Sequence, residues 1–143
     1  MLTQNEADGL ISIPKRFISS NPISIPPGED ESHELTSYDN REKFLLDVWR
    51  GTIRLSKVKL QTRTQTIYVL VRLDIDGSPH TNPDGQKIGG THLHLYKEGY
   101  GDKWARAVDP KEFQNLSSIK QAFEDFLRYC NITESPAFQE NIQ

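Results

Sequence analysis

The sequence predicts an α+β domain: an antiparallel, curved sheet of four to six strands, with a C-terminal helix packed on one face and a short N-terminal helix. Two stretches carry this expectation. Residues 66–75 and 91–98 alternate apolar and polar side chains with the period of a strand. Ile119, Ala122, Phe123, Phe126, Leu127 and Cys130 fall on one stripe at helical spacing. A third feature is the polar, glycine-bearing segment between the two strands, too long for a simple hairpin turn.

The first helix starts at Thr3, where Thr3 and Glu6 fit a capping box. Ala7, Leu10 and Ile11 follow at helical spacing, and Pro14 limits the element. Residues 14–40 hold Pro14, Pro22, Pro26 and Pro27 and the acidic run Glu29-Asp30-Glu31. They read as an extended arm with one short strand at Ile23–Ile25 and a solvated His33. Residues 1–40 are therefore expected as a helix and acidic arm, 41–132 as the α+β domain, and 133–143 as a flexible tail.

From Arg41 the chain alternates through Phe44, Leu46 and Val48, and Gly51-Thr52 reads as a turn. Ile53 and Leu55 are out of phase with Val58 and Leu60, which predicts a bulge. Ile67, Val69, Val71, Leu73 and Ile75 define a core face on the next strand. Asp76-Gly77 ends it, and Pro83-Asp84-Gly85 supplies a further turn. Ser118 and Gln121 fit a second capping box, and Asn131 a C-terminal cap. Cys130, at the end of the apolar stripe, is expected in the core and not as a nucleophile.

Composition narrows the function. One cysteine excludes an internal disulfide and suits a reducing compartment. No apolar run reaches the length of a membrane span, and no signal-peptide pattern opens the chain, so a cytoplasmic protein without a membrane partner is expected. The net charge of −3 does not suit a general nucleic-acid binder. Charge is segregated, however: −5 over residues 1–40, +5 over 41–111 and −3 over 112–143.

Parity points to a site. If the two alternating strands pair, their apolar residues share the helix-covered face. Arg72, Asp74, His92, His94, Tyr96 and Glu98 then fall on the other face, with His80 in the loop at the same end. Three chemistries fit. One is a metal-independent endoribonuclease of bacterial toxin or defence type. His80, His92 and His94 would move protons, with Arg72 and Tyr96 beside them. RNA would be held by Arg50, Arg54, Lys57, Lys59, Arg63, Lys97, Tyr100, Lys103 and Trp104, without a cofactor. A second is one divalent metal ion held by ligands drawn from His80, His92, His94, Glu98 and Asp74. A third is a non-catalytic module that captures a cognate protein or a nucleic acid through the aromatic Gly99–Trp104 turn.

The runs PHTNPDG, THLHLY and EGYGDKWA, with FLLDVWRG and VLVRLDI before them, resemble an uncharacterised family of small bacterial proteins, a domain of unknown function. The resemblance is carried by about residues 42–108, and its extension to the whole chain is left open. It implies a bacterial or phage origin and transfers no activity.

Overall fold

Pairing of backbone groups carries the chain back and forth through one eight-stranded sheet. The computed structural model describes residues 1–139. Helix α1 (Gln4–Ser12) leads into β1 (Lys15–Phe17), β2 (Asp30–Ser37), β3 (Lys43–Arg50), β4 (Val58–Thr64) and β5 (Tyr68–Ile75). A small hairpin, β6 (His80–Thr81) and β7 (Lys87–Ile88), precedes β8 (His92–Leu95) and β9 (Ala105–Ala107). Helix α2 (Ile119–Tyr129) and β10 (Ile132–Glu134) follow. The sheet order is β10-β1-β2-β3-β4-β5-β8-β9, and β6 pairs only with β7. All neighbours in the large sheet are antiparallel except β1 with β10. The class is α+β, as expected, but the sheet is wider than four to six strands.

The extra width comes from residues 15–37, which supply β1 and β2 where the sequence suggested an arm. β2 pairs with β3 from Asp30↔Trp49 to Thr36↔Lys43. Its polar sequence gives no apolar alternation, and burial is confined to Leu35, Thr36 and Ser37 at one end. Backbone pairing is enough to build such a strand even though five of its eight residues are exposed or only half-buried. Ile23 forms no regular strand. It makes one bridge with Phe138 and is buried with Ile25 in the core. His33 is half-buried, edge-on to Phe17 with ring centroids 6.1 Å apart. Of the expected tail, residues 133–134 belong to β10, and residues 140–143 lie outside the described residues.

The β3–β4 connection is longer than a turn at Gly51-Thr52. Gly51 N–H donates to Lys57 O at 2.8 Å, closing a loop in which Ile53 is fully exposed. The phase slip around Ile53 therefore marks a loop. The bulge lies instead where Thr62 pairs with Val71 and Arg63 with Val69, leaving Leu70 as the extra residue. It switches the phase of β5 midway. Val71, Leu73 and Ile75 keep the core parity, Leu70 joins the core, and Ile67 is exposed.

The helices form where their caps predict. Thr3 Oγ1 accepts from Glu6 N–H, and Glu6 returns the bond to Thr3 N–H at 3.0 Å. Ser118 accepts from Gln121 N–H at 3.2 Å, but the Gln121 side chain turns to Asp125 at 2.8 Å, so only half of that box forms. Asn131 follows α2 with φ of 56°, the left-handed conformation that ends many helices. Ala122, Phe123, Phe126, Leu127 and Cys130 join Leu46, Leu60, Leu73 and Leu93 of the sheet in one apolar core. Burial pushes the Cys130 thiol up to about 12, so it remains protonated and inert.

Lys15 ties the two helices together. Its ammonium is buried and donates to Ile11 O at 2.8 Å, Ile13 O at 2.9 Å and Cys130 O at 2.8 Å. These carbonyls lie at the C-terminal ends of α1 and α2, where no helical N–H remains to satisfy them. Three donors meet three acceptors. Burial pushes Lys15 down to about 8, which still leaves it mostly charged at pH 7. Lys15→Met removes all three donors, and chemical denaturation should register a loss of about 3 kcal/mol. An unchanged midpoint would mean that water replaces the ammonium.

Candidate functional site

Register builds the site. β5 and β8 pair as Arg72↔His94 and Asp74↔His92, with Val71↔Leu95 and Leu73↔Leu93 turned to the core. The four polar side chains share the opposite face, as parity requires. That face is covered at this end: His92 and His94 are each 1% exposed, and Asp74 6%.

The cover is the segment between β5 and β8. Its neck closes where Gly77 N–H donates to Gly90 O at 2.9 Å. A Cβ on Gly90 would lie 2.2 Å from Gly77 O, so the close approach demands glycine there. The turn at Pro83-Asp84 closes with Gly85 N–H donating to Asn82 O at 2.8 Å. Asn82 is buried, and its amide pairs with edge strand β9 as another strand would. Nδ2 donates to Ala105 O at 2.9 Å, and Oδ1 accepts from Ala105 N–H at 2.8 Å. His80 is thereby laid over the strand histidines, with its ring centroid 4.7 Å from His94 and 5.6 Å from His92. The rings of His92 and His94 are 4.7 Å apart.

Each imidazole has one nitrogen anchored to a backbone carbonyl. His92 Nδ1 donates to Gly89 O at 2.6 Å, His94 Nδ1 to Asp102 O at 2.7 Å, and His80 Nε2 to Lys103 O at 2.7 Å. A carbonyl can only accept, so these contacts assign the N–H to the anchored nitrogen. In the neutral form of an imidazole anchored in this way, the other nitrogen carries a lone pair. Nε2 of His92 and Nε2 of His94 lie 3.3 Å and 3.9 Å from Asp74 Oδ2.

Arg72 holds the other side of the carboxylate. Its Nε donates to Asp74 Oδ1 at 3.0 Å, Nη1 to Asp102 at 3.0 Å, and Nη2 to His94 Nε2 at 3.0 Å. Burial, with the Arg72 charge beside it, pushes His94 down to about 4, so this ring is neutral at physiological pH. One guanidinium faces two carboxylates, which leaves a local charge of −1. Asp74, His92 and His94 each present a ligand atom within 4.8 Å of the others.

Two residues expected on this face lie elsewhere. β8 ends at Leu95, and Tyr96 N–H donates to Leu70 O at 2.9 Å, at the bulge. The alternation stops there. Tyr96 is buried against α1, its hydroxyl donating to Leu2 O at 2.6 Å. Glu98 accepts from Gln4 N–H at 2.7 Å, in the first turn of α1. Asn82 and Asp102 are the components that periodicity did not single out. Asn82 stands in a turn-rich run where Asn is commonplace, and Asp102 acts partly through its backbone.

The basic set is divided. Arg50 Nε donates to Leu55 O at 2.8 Å, Arg54 pairs with Asp76 at 3.4 Å, and Arg63 with Asp47 at 2.6 Å. Lys57 and Lys59 flank Trp49 instead. Lys97 lies 4.3 Å from the Trp104 ring centroid and 5.8 Å from that of Tyr100, folding the aromatic turn on itself. The Lys103 side chain is exposed, while its carbonyl anchors His80.

Asn82→Ala leaves both backbone groups of Ala105 without their partners in a buried position. A loss of about 2 kcal/mol is expected, with faster amide exchange across residues 78–90. Unchanged exchange would show that the cover is held by other contacts.

The chain belongs to a family of unknown function (DUF6978), matched over residues 2–132. The match extends well beyond the motifs that suggested such a family and takes in α1, β1 and β2. No curated protein and no solved structure matches the chain. Among the described residues no helix is long and apolar enough to cross a membrane.

Proposed function

We propose that this chain is a metal-binding β-domain. It takes one divalent ion of the zinc class through Asp74 Oδ2, His92 Nε2 and His94 Nε2, and His80, outside that cluster but with its ring centroid 4.7 Å from His94, is drawn in on loading as the fourth ligand. The observation that carries this reading is the convergence of the three donor atoms of Asp74, His92 and His94 within 4.8 Å of one another. Ligand bonds of 2.0–2.1 Å in a tetrahedron place neighbouring ligand atoms about 3.4 Å apart. The His92–Asp74 separation is 3.3 Å.

The surroundings support the same reading. Metal-bound imidazoles usually donate their second nitrogen to a carbonyl or carboxylate, which fixes the tautomer. All three histidines do so here. Arg72 Nε holds Asp74 Oδ1 at 3.0 Å, while Nη2 reaches Oδ2 only at 3.4 Å and Oδ2 faces the ring nitrogens. On loading, Arg72 Nη2 releases His94 Nε2 and Asp74 Oδ2, and Arg72 retains Asp102 and Asp74 Oδ1. A dication suits a site of local charge −1.

Burial favours the metal over the metal-free ribonuclease. Proton transfer to an RNA backbone needs an imidazole within hydrogen-bond reach of the substrate. His92 and His94 are almost wholly enclosed. A closed set of four protein ligands is the form structural zinc sites take. The ion fastens the segments 76–90 and 97–104 to β5 and β8.

Protein purified without a histidine tag should contain, or take up, one zinc per chain. At a hundred times its dissociation constant the metal adds about 2.7 kcal/mol to stability, read as a raised melting temperature that chelator reverses. The His92→Ala/His94→Ala double variant should lose both the metal and the shift. A wild type that binds no zinc, cobalt or manganese, and melts identically with and without chelator, would overturn the reading.

A further inference from the structure

The covered histidines occupy only one end of the polar face. The rest of it lies open, and the register gives its layout. Asp30, Trp49, Lys59, Asp74 and His92 form one row across β2, β3, β4, β5 and β8. Neighbouring strands are about 4.8 Å apart, so Trp49 stands about 10 Å from Asp74 along this row.

Trp49 is the one tryptophan on this open part, and it is half-buried. Lys57 Nζ and Lys59 Nζ lie 5.7 Å and 5.6 Å from its ring centroid. These distances sit at the outer limit of a cation–π contact, about 6 Å, so the ammonium groups are loosely held. The other bases of the run are engaged: Arg50 by a carbonyl, Arg54 and Arg63 by carboxylates. Among the described residues, neither Lys57 nor Lys59 forms an ion pair. A cavity of about 360 Å³ opens beside Trp49 and Lys57, lined also by Gly51, Gly77 and the Arg54–Asp76 pair, with Lys59 outside its lining and reaching only the indole.

We infer that this is a binding site for a nucleotide unit, with the base stacked on Trp49 and the phosphate held by Lys57 and Lys59. An indole face accepts any base, since every base has a π-face. Two flexible ammonium groups beside it provide the charge a phosphodiester or phosphomonoester seeks. An acidic peptide would use the lysines and leave the indole idle, so the three groups together favour a base with its phosphate. The unit comes either from a free mononucleotide or from single-stranded RNA. The site uses none of the metal ligands, and its test is independent of metal binding.

The test is fluorescence anisotropy of a labelled eight-nucleotide RNA with the full chain, across a range of salt concentrations. Wild type should bind with a log–log salt slope of about −1.4, two phosphate contacts at about −0.7 each. Trp49→Ala should weaken binding at least about fivefold, the lower end of a stacking contribution. Lys57→Gln/Lys59→Gln should flatten the slope toward zero while circular dichroism stays unchanged. If Trp49→Ala fails to fold, Trp49→Leu takes its place. Competition by AMP at concentrations matching the oligomer's nucleotides supports the free-nucleotide source, and competition by oligomer alone supports the single strand. Absence of binding overturns the inference. So does binding that ignores both variants, or competition by oligoglutamate that Trp49 substitution leaves unaltered.

Discussion

The pairing of β5 with β8 is the constraint on which the site depends. A strand alternates strictly, so committing Val71, Leu73, Leu93 and Leu95 to the core turns Arg72, Asp74, His92 and His94 to the other face. A one-residue shift of register would bury the charges in the apolar core. The face they occupy is then covered, and an enclosed carboxylate is tolerated only with compensating partners. Arg72 supplies them for Asp74, donating from Nε to Oδ1 at 3.0 Å and from Nη2 to Oδ2 at 3.4 Å. The covering segments are shaped by the same need, since Gly89, Asp102 and Lys103 each offer a carbonyl to one ring.

A second buried charge organises the opposite side of the molecule. Lys15 satisfies carbonyls at the ends of both helices and lies 5.0 Å from the Phe44 ring centroid, so α1, α2 and the sheet meet at one ammonium. This explains how a short N-terminal helix and residues 15–37, polar and rich in proline, become integral to the fold. It also fits a family match that begins at residue 2.

Much of this was legible in the sequence where one period dominates. The α2 stripe, the Thr3–Glu6 capping box and the polar face of β5 and β8 all follow from local pattern. β2 escaped because its polar residues pair through the backbone and leave no apolar period. Tyr96 and Glu98 were misplaced because alternation was extended past Leu95, where the bulge at Leu70 captures the chain. The reach of His80 was open, since it depends on Asn82 pairing with Ala105, a contact 23 residues apart in sequence. The basic run looked continuous in sequence, but the loop over residues 51–57 and the pairing with Asp47 and Asp76 divide it.

The central claim is that Asp74, His80, His92 and His94 converge on one ion. X-ray absorption at the zinc edge of the loaded protein addresses it directly. The account predicts a four-coordinate shell of nitrogen and oxygen at about 2.0–2.1 Å, without sulfur, with the outer-shell scattering of three imidazole rings. A six-coordinate oxygen shell without imidazole scattering would place the ion elsewhere and contradict the account.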